Sequence, residues 1–184
     1  MSRVLGCVII IILIFTGCDP FGSDKNPESR FEATISGDFT GHVQGQASFG
    51  TFVDPVTGMI ATIIILTSSD GSQRGINISG LTNIQIEERS YPITATVRGS
   101  DNPFQSIVRN EFAASYLHNN AQYSKTFISQ IGEISFSSSS ENVLQGTFSF
   151  DAQGYRYMTN ENEISDSTES MITIIGNFTS VRGQ

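Results

Sequence analysis

From Phe31 onward, apolar and polar residues alternate with a period of two, the pattern of strands buried on one face. Phe31, Ala33 and Ile35 share a face opposite Glu32, Thr34 and Ser36. Tyr91, Ile93, Ala95 and Val97 alternate with Thr94, Thr96 and Arg98; Ile134 and Phe136 with Glu133, Ser135 and Ser137. Phe148, Phe150 and Ala152 do so with Thr147, Ser149 and Asp151. These runs are rich in Val, Ile, Thr and Phe, which pack well on a pleated surface. Met59 to Thr67 differs, because Ile60, Ile63, Ile64, Ile65 and Leu66 place apolar groups on both faces. That predicts a strand covered on both sides.

The punctuation between runs predicts hairpins. Ser69-Asp70-Gly71-Ser72 separates two alternating runs, and Asp-Gly there is a strong turn signal. A second reversal is predicted at His118-Asn119-Asn120, since Asn tolerates positive φ. Ser137 to Ser140 reads as a solvated hairpin turn. Gly176-Asn177, inside the run Met171 to Val181, predicts a bulge or bend. The early glycines from Gly37 to Gly50 read as close strand packing and bulges rather than as a ligand approaching bare backbone. Helical signal is scarce: one turn at Ile84 to Arg89, and Gln105 to Leu117, which has apolar residues at helical spacing. The strand reading is favoured from Glu111, with Phe112, Ala114 and Tyr116 inward. Short strands, glycine-rich turns and no crossover helices predict one all-β domain over 31–184. The expected architecture is an antiparallel β-sandwich, with a lipocalin-like β-barrel as the alternative. The lack of Trp and of disulfide partners argues against an immunoglobulin-type core.

The N-terminus carries an address. Arg3 precedes the unbroken apolar run Val8 to Phe15, followed by Thr16-Gly17-Cys18. The run is too short to span a bilayer and predicts a secretory signal over 1–17. Phe15-Thr16-Gly17-Cys18 resembles the lipobox of bacterial lipoproteins, with Phe15 in place of the usual Leu. The resemblance implies cleavage between Gly17 and Cys18 and lipidation of Cys18. Each buried acyl methylene contributes about 0.8 kcal/mol, so two or three chains anchor far better than one. Asp19 resembles the inner-membrane retention signal of enterobacterial lipoproteins. Residues 18–30 are polar, with Pro20, Gly22 and Pro27, and read as a flexible tether. Cys7 falls within the signal, so Cys18 is the mature chain's sole cysteine. The domain then has no disulfide, thiol nucleophile or thiolate metal site.

Several segments resemble a pattern in small lipoproteins of the Bacteroidota and their relatives. They are Phe31-x-Ala33-x-Ile35-x-Gly37, Ser90-Tyr91-Pro92-Ile93 and Gly132-x-Ile134-x-Phe136. Gly146-Thr147-Phe148-Ser149-Phe150-x-Ala152 and Ile172-x-Ile174-x-Gly176-x-Phe178 complete the set. The resemblance implies an anchored β-sandwich without an assigned activity, at the outer membrane or cell surface rather than the inner membrane. Asp166-Ser167-Thr168 resembles that phylum's short O-glycosylation motif.

Charge and chemistry narrow the function. A net charge of -8 repels nucleic acid and anionic headgroups, leaving the lipid as the membrane contact. His42 and His118 are far apart in sequence, and no metal, cofactor or catalytic motif is present. Glu87, Glu88, Glu111, Glu133 and Asp151 are the carboxylates weighed for glycosidase chemistry, with Glu133 and Asp151 pointing away from the apolar face. The acidic stretch 158–170 tempts a cation assignment but lacks calcium-loop spacing, and reads as a mobile polar hairpin loop. The sequence thus predicts a lipid-anchored, non-enzymatic envelope lipoprotein that binds or supports something. The other readings are a lipocalin-like carrier of an apolar ligand and a hydrolase acting on glycan or lipid. An open apolar cavity would mark the carrier; convergent carboxylates or a His pair would mark the hydrolase.

Overall fold

The computed structural model describes residues 28–55, 57–95, 107–119, 123–160 and 163–183, apart from the side chains of 123–124, 155–160 and 163–168. These residues form nine strands and no helix: β1 (Arg30–Gly37), β2 (Gly41–Val53), β3 (Ile60–Ser68), β4 (Arg74–Thr82), β5 (Ser90–Thr94), β6 (Glu111–Asn119), β7 (Tyr123–Ser139), β8 (Val143–Asn160) and β9 (Glu163–Arg182). The all-β fold expected from the alternation is what the chain adopts. Its single sheet closes on itself as a barrel in the order β1-β2-β3-β4-β6-β5-β7-β8-β9. Most neighbours are antiparallel; β5 meets β6, and β2 meets β9, in short parallel contacts.

Two short strands enter as wedges. β6 and β7 pair from Ser115↔Ile128 to Asn119↔Ser124, then part, and β5 fills the gap between them. At this fork the buried Ser129 hydroxyl donates to Thr94 O (2.8 Å) and accepts from Ala114 N–H (3.0 Å). One hydroxyl therefore joins three strands. β1 is the second wedge, paired to β2 on one side and β9 on the other. Before it begins, β2 and β9 touch directly at Ser48↔Val181 and Phe49↔Arg182. Ser29 closes this fork: its Oγ accepts from Ala47 N–H (3.0 Å) and donates to Ala47 O.

The barrel interior is filled. Phe31, Val43, Phe49, Ile64, Ile78, Phe112 and many others form one buried cluster. Aromatic rings tile it edge to face: Tyr91 lies 5.4 Å from Phe112 and 5.8 Å from Phe136, and Phe136 lies 6.0 Å from Phe178. Large rings fit because glycines face them. A Cβ at Gly176 would lie 2.5 Å from Phe148 Cζ, and one at Gly80 would lie 2.4 Å from the Phe112 ring. Gly176 is thus a site of close approach and not the expected bulge; the β8–β9 register runs through it unbroken. The register instead shifts on β7 between Ser129 and Ile131 and between Phe136 and Ser138, and near Tyr157 to Thr159. The first shift flips the inward face from Phe127 and Ser129 to Ile134 and Phe136, leaving Ile131 exposed.

Other expectations are corrected. Only the start of β3 is covered outside: Ala61 packs with Leu81, Ile107 and Ala113, whereas Ile65 is 47% exposed. Ile84 to Arg89 forms bends, not a helical turn. β5 stops at Thr94, and Ala95 is exposed. Ser137 to Ser139 belong to β7, so the turn is Ser140 to Asn142. The acidic stretch is not a long loop, since β8 runs to Asn160 and β9 begins at Glu163; its side chains as far as Thr168, with the cation and O-glycosylation readings that need them, lie outside the described residues. Strand β6 begins at Glu111 with Phe112, Ala114 and Tyr116 inward, as expected. The Asp70-Gly71 hairpin forms as well, with Gly71 at φ 75°. Hydrogen bonds from Ser68 and Ser72, then the Arg74 guanidinium, hold the Asp70 carboxyl well below the usual carboxylate range.

Two substitutions test the forks and the ring packing by urea denaturation. Ser129→Ala removes the partner of two backbone groups and is expected to cost about 1–3 kcal/mol. Gly176→Ala is expected to cost about 1–3 kcal/mol by forcing Phe148 and the Glu32 carbonyl away. A change below about 0.5 kcal/mol in either variant contradicts the corresponding account.

Candidate functional site

The two barrel ends differ. At the lower end, Phe39 from the β1–β2 turn packs over the interior, 6.4 Å from Tyr116 and 5.5 Å from Phe127. His118 lies edge-on to it at 5.4 Å and shares a 3.0 Å hydrogen bond between Nδ1 and Tyr116 Oη. Lys125 Nζ sits 5.5 Å from the Phe39 ring centre, within cation–π range. Burial, then the charges of Arg74 and Lys125, lower the His118 pKa from its ordinary 6.5.

The upper end carries a cavity of about 300 Å³, floored by Phe49, Ile86 and Leu144 of the interior cluster. It lies where β2, β7 and β9 end and β3 and β8 begin, beside the segment around Gln85 and Ile86. Phe49, Ile60, Ile86 and Leu144 supply apolar surface; Thr51, Thr62, Ser139, Ser140 and Arg182 supply polar groups. Strand alternation places Thr51, Thr62 and Arg182. Thr51 follows inward Phe49 by two positions, Thr62 precedes inward Ile64 by two, and Arg182 follows buried Ser180 by two.

Arg182 and Thr51 are hydrogen-bonded to each other along this edge. Arg182 Nη2 donates to Thr51 Oγ1 at 2.5 Å, and Nη1 donates to the Glu141 carbonyl at 3.4 Å. The Glu141 carboxylate is 3.7 Å away and 81% exposed, so water and salt screen this ion pair. Thr62 lies directly across from Thr51 in the β2–β3 register. Its Oγ1 is fully buried without a hydrogen-bond partner, as is Ser180 Oγ on β9. An unmet buried hydroxyl costs about 1–3 kcal/mol, so both mark places where the free domain is under-satisfied. Elsewhere, a trough of about 500 Å³ runs over the outside of β3, β4 and β6, past Ile65, Gly75 and Leu117. It does not reach the interior cluster's ring-lined centre.

The sequence-weighted residues do not meet. Glu87 pairs with Arg89 at 2.9 Å, Glu111 accepts from Thr94 Oγ1 at 3.1 Å, and Asp151 accepts from Thr173 Oγ1 at 2.7 Å. Glu133 is exposed on the outer face, and Glu88 is exposed near Arg89. His42 lies 3.6 Å from Glu32 on the outer wall, whereas His118 faces the lower plug. Among the described residues, no three His, Cys, Asp or Glu side chains cluster as a metal site. Gly17 and Cys18 lie outside the described residues. Sequence reasoning passed over Thr51, Thr62 and Arg182; a threonine on the apolar face of two successive strands was the available signal. Comparison with protein-family models, with curated proteins and with solved structures finds no match.

The lowered His118 pKa has a defined consequence. The folded domain favours the neutral ring, and the unfolded chain binds the proton more readily. This contribution to stability is full above pH 6.5 and is lost as pH falls through the depressed folded value. Urea midpoints are expected to fall on acidification from pH 7 toward the carboxylate range, less steeply in His118→Gln. Equal slopes in the two proteins contradict the assignment.

Proposed function

We propose that this chain is a lipid-anchored, non-enzymatic binding module of a bacterial envelope, held through Cys18 and presenting a ligand pocket at its upper end. The observation that carries this reading is shared geography. The domain starts at Ser29–Arg30, beside the rim formed by Phe49 and Arg182, and the cavity opens at that same rim. Ser29 follows Cys18 by eleven positions, which limits the reach of the linking chain to ~40 Å. A lipid on Cys18 therefore keeps the pocket close to a membrane surface. The apolar run ending in Phe15-Thr16-Gly17-Cys18 supports the anchor, and the lipoprotein resemblance favours the outer membrane or cell surface. The acidic domain has no attraction of its own for anionic headgroups.

The filled axis weighs against the lipocalin-like carrier, which holds its ligand inside the barrel. A cavity of about 300 Å³ stands at the small end of ligand pockets, fitting a compact ligand held at the rim. Hydrolysis gains no support from the separate settings of Glu87, Glu111 and Asp151.

Membrane fractionation of cells expressing the full chain tests the anchor. Wild type is expected in the membrane fraction with labelled palmitate incorporated, and Cys18→Ser is expected in the soluble fraction without label. If the variant is as membrane-bound as wild type, the anchor reading fails.

A further inference from the structure

The upper cavity has two walls of opposite character. Phe49, Ile60, Ile86 and Leu144 offer hydrocarbon, while Arg182, Thr51 and Thr62 line a polar edge across β9, β2 and β3. We propose that the cavity binds an amphiphile ending in a carboxylate, with the carboxylate between Arg182 and Thr62 and the apolar body against Phe49, Ile60, Ile86 and Leu144. This rests on the binding-module reading and gives it a ligand class.

Two observations select that class. Arg182 spends few of its donors within the domain: Thr51 Oγ1 takes one, and the Glu141 carbonyl takes another at 3.4 Å. A guanidinium has five N–H groups in a planar fork that matches a carboxylate. Thr62 Oγ1, buried and without a partner, offers a further donor across from Thr51. A carboxylate supplies what both lack, accepting from the fork with one oxygen and from the hydroxyl with the other.

Charge and volume set the limits. Among the described residues the cavity is lined by one cation, Arg182, with the Glu141 carboxylate beside it, in a chain of net charge -8. A monoanion matches one arginine, whereas a dianionic phosphate meets net repulsion. The cavity's 300 Å³ equals about ten waters' share of liquid volume, near the size of octanoate's about ten heavy atoms. Binding replaces a screened contact to Glu141 by a partly desolvated one, so Glu141 acts as a competitor for the arginine.

The test uses the full chain in lipid nanodiscs, with Ile and Leu methyls isotopically labelled for NMR and sodium octanoate and 1-octanol as probes. Octanoate is expected to shift the Ile60, Ile86 and Leu144 methyls saturably, with octanol at least tenfold weaker. Arg182→Gln is expected to weaken octanoate about 10- to 100-fold and leave octanol unchanged. Thr62→Val is expected to weaken octanoate while raising the melting temperature of the ligand-free protein by about 2–4 °C, because it removes an unmet hydroxyl. Glu141→Gln is expected to tighten octanoate up to about fivefold, and this holds the proposal to account should Arg182→Gln fold poorly. Equal affinity for octanoate and octanol overturns the carboxylate assignment and leaves the binding-module reading standing. Unmoved affinity in both Arg182→Gln and Glu141→Gln does the same. Absence of saturable shifts with either probe overturns both.

Discussion

Everything in this fold depends on the completeness of backbone pairing around a closed ring. Closure removes the free edges that make sheets prone to pairing with other chains. It also creates a local difficulty wherever a strand is shorter than its neighbours, because the flanking strands must part and buried N–H and C=O groups lose their partners. Here the difficulty arises at two forks and receives one solution at both. Ser129 satisfies Ala114 and Thr94 where β5 ends, and Ser29 satisfies both backbone groups of Ala47 where β1 begins. A side-chain hydroxyl is suited to this role because it both donates and accepts.

The same ring explains the division between core and site. Without a disulfide to reinforce it, the domain relies on close packing, and glycine at Gly80 and Gly176 leaves room for the Phe112 and Phe148 rings beside the neighbouring strand. Rings then occupy the space along the axis. Where the strands end, the rings give way to Thr51, Thr62 and Arg182, and hydroxyls go unmet. The unmet hydroxyls and the Arg182 guanidinium therefore lie toward a rim rather than along the axis.

How much of this was legible in the sequence follows from the range of each cause. Alternation is local, so Phe31-Ala33-Ile35 and Phe148-Phe150-Ala152 announced their inward faces directly, and Asp70-Gly71 announced its hairpin. Ring closure is not local: nothing in Ser29 or Ser129 alone says which backbone groups will need a hydroxyl. Gly176 resembled a bulge because its reason for being glycine lies on another strand, at Phe148. Ser137 to Ser139 resembled a turn because polar composition also suits a strand facing water. Arg182 and Thr62 are 120 positions apart in sequence and belong to one site only because β9 and β3 both flank β2.

The forks also govern shape. A circuit of the wall drawn past Ser29 steps from β2 straight to β9, and one drawn past Ser129 steps from β6 straight to β7. Each such circuit has one strand fewer than a circuit that crosses both wedges. Barrel diameter grows with strand number, so the wall is widest at its waist and drawn in beyond each fork. The molecule is a cask rather than a tube. Its buried aromatic rings belong to the strands that enclose them, so the seating of the two wedge strands sets the width those rings must fill.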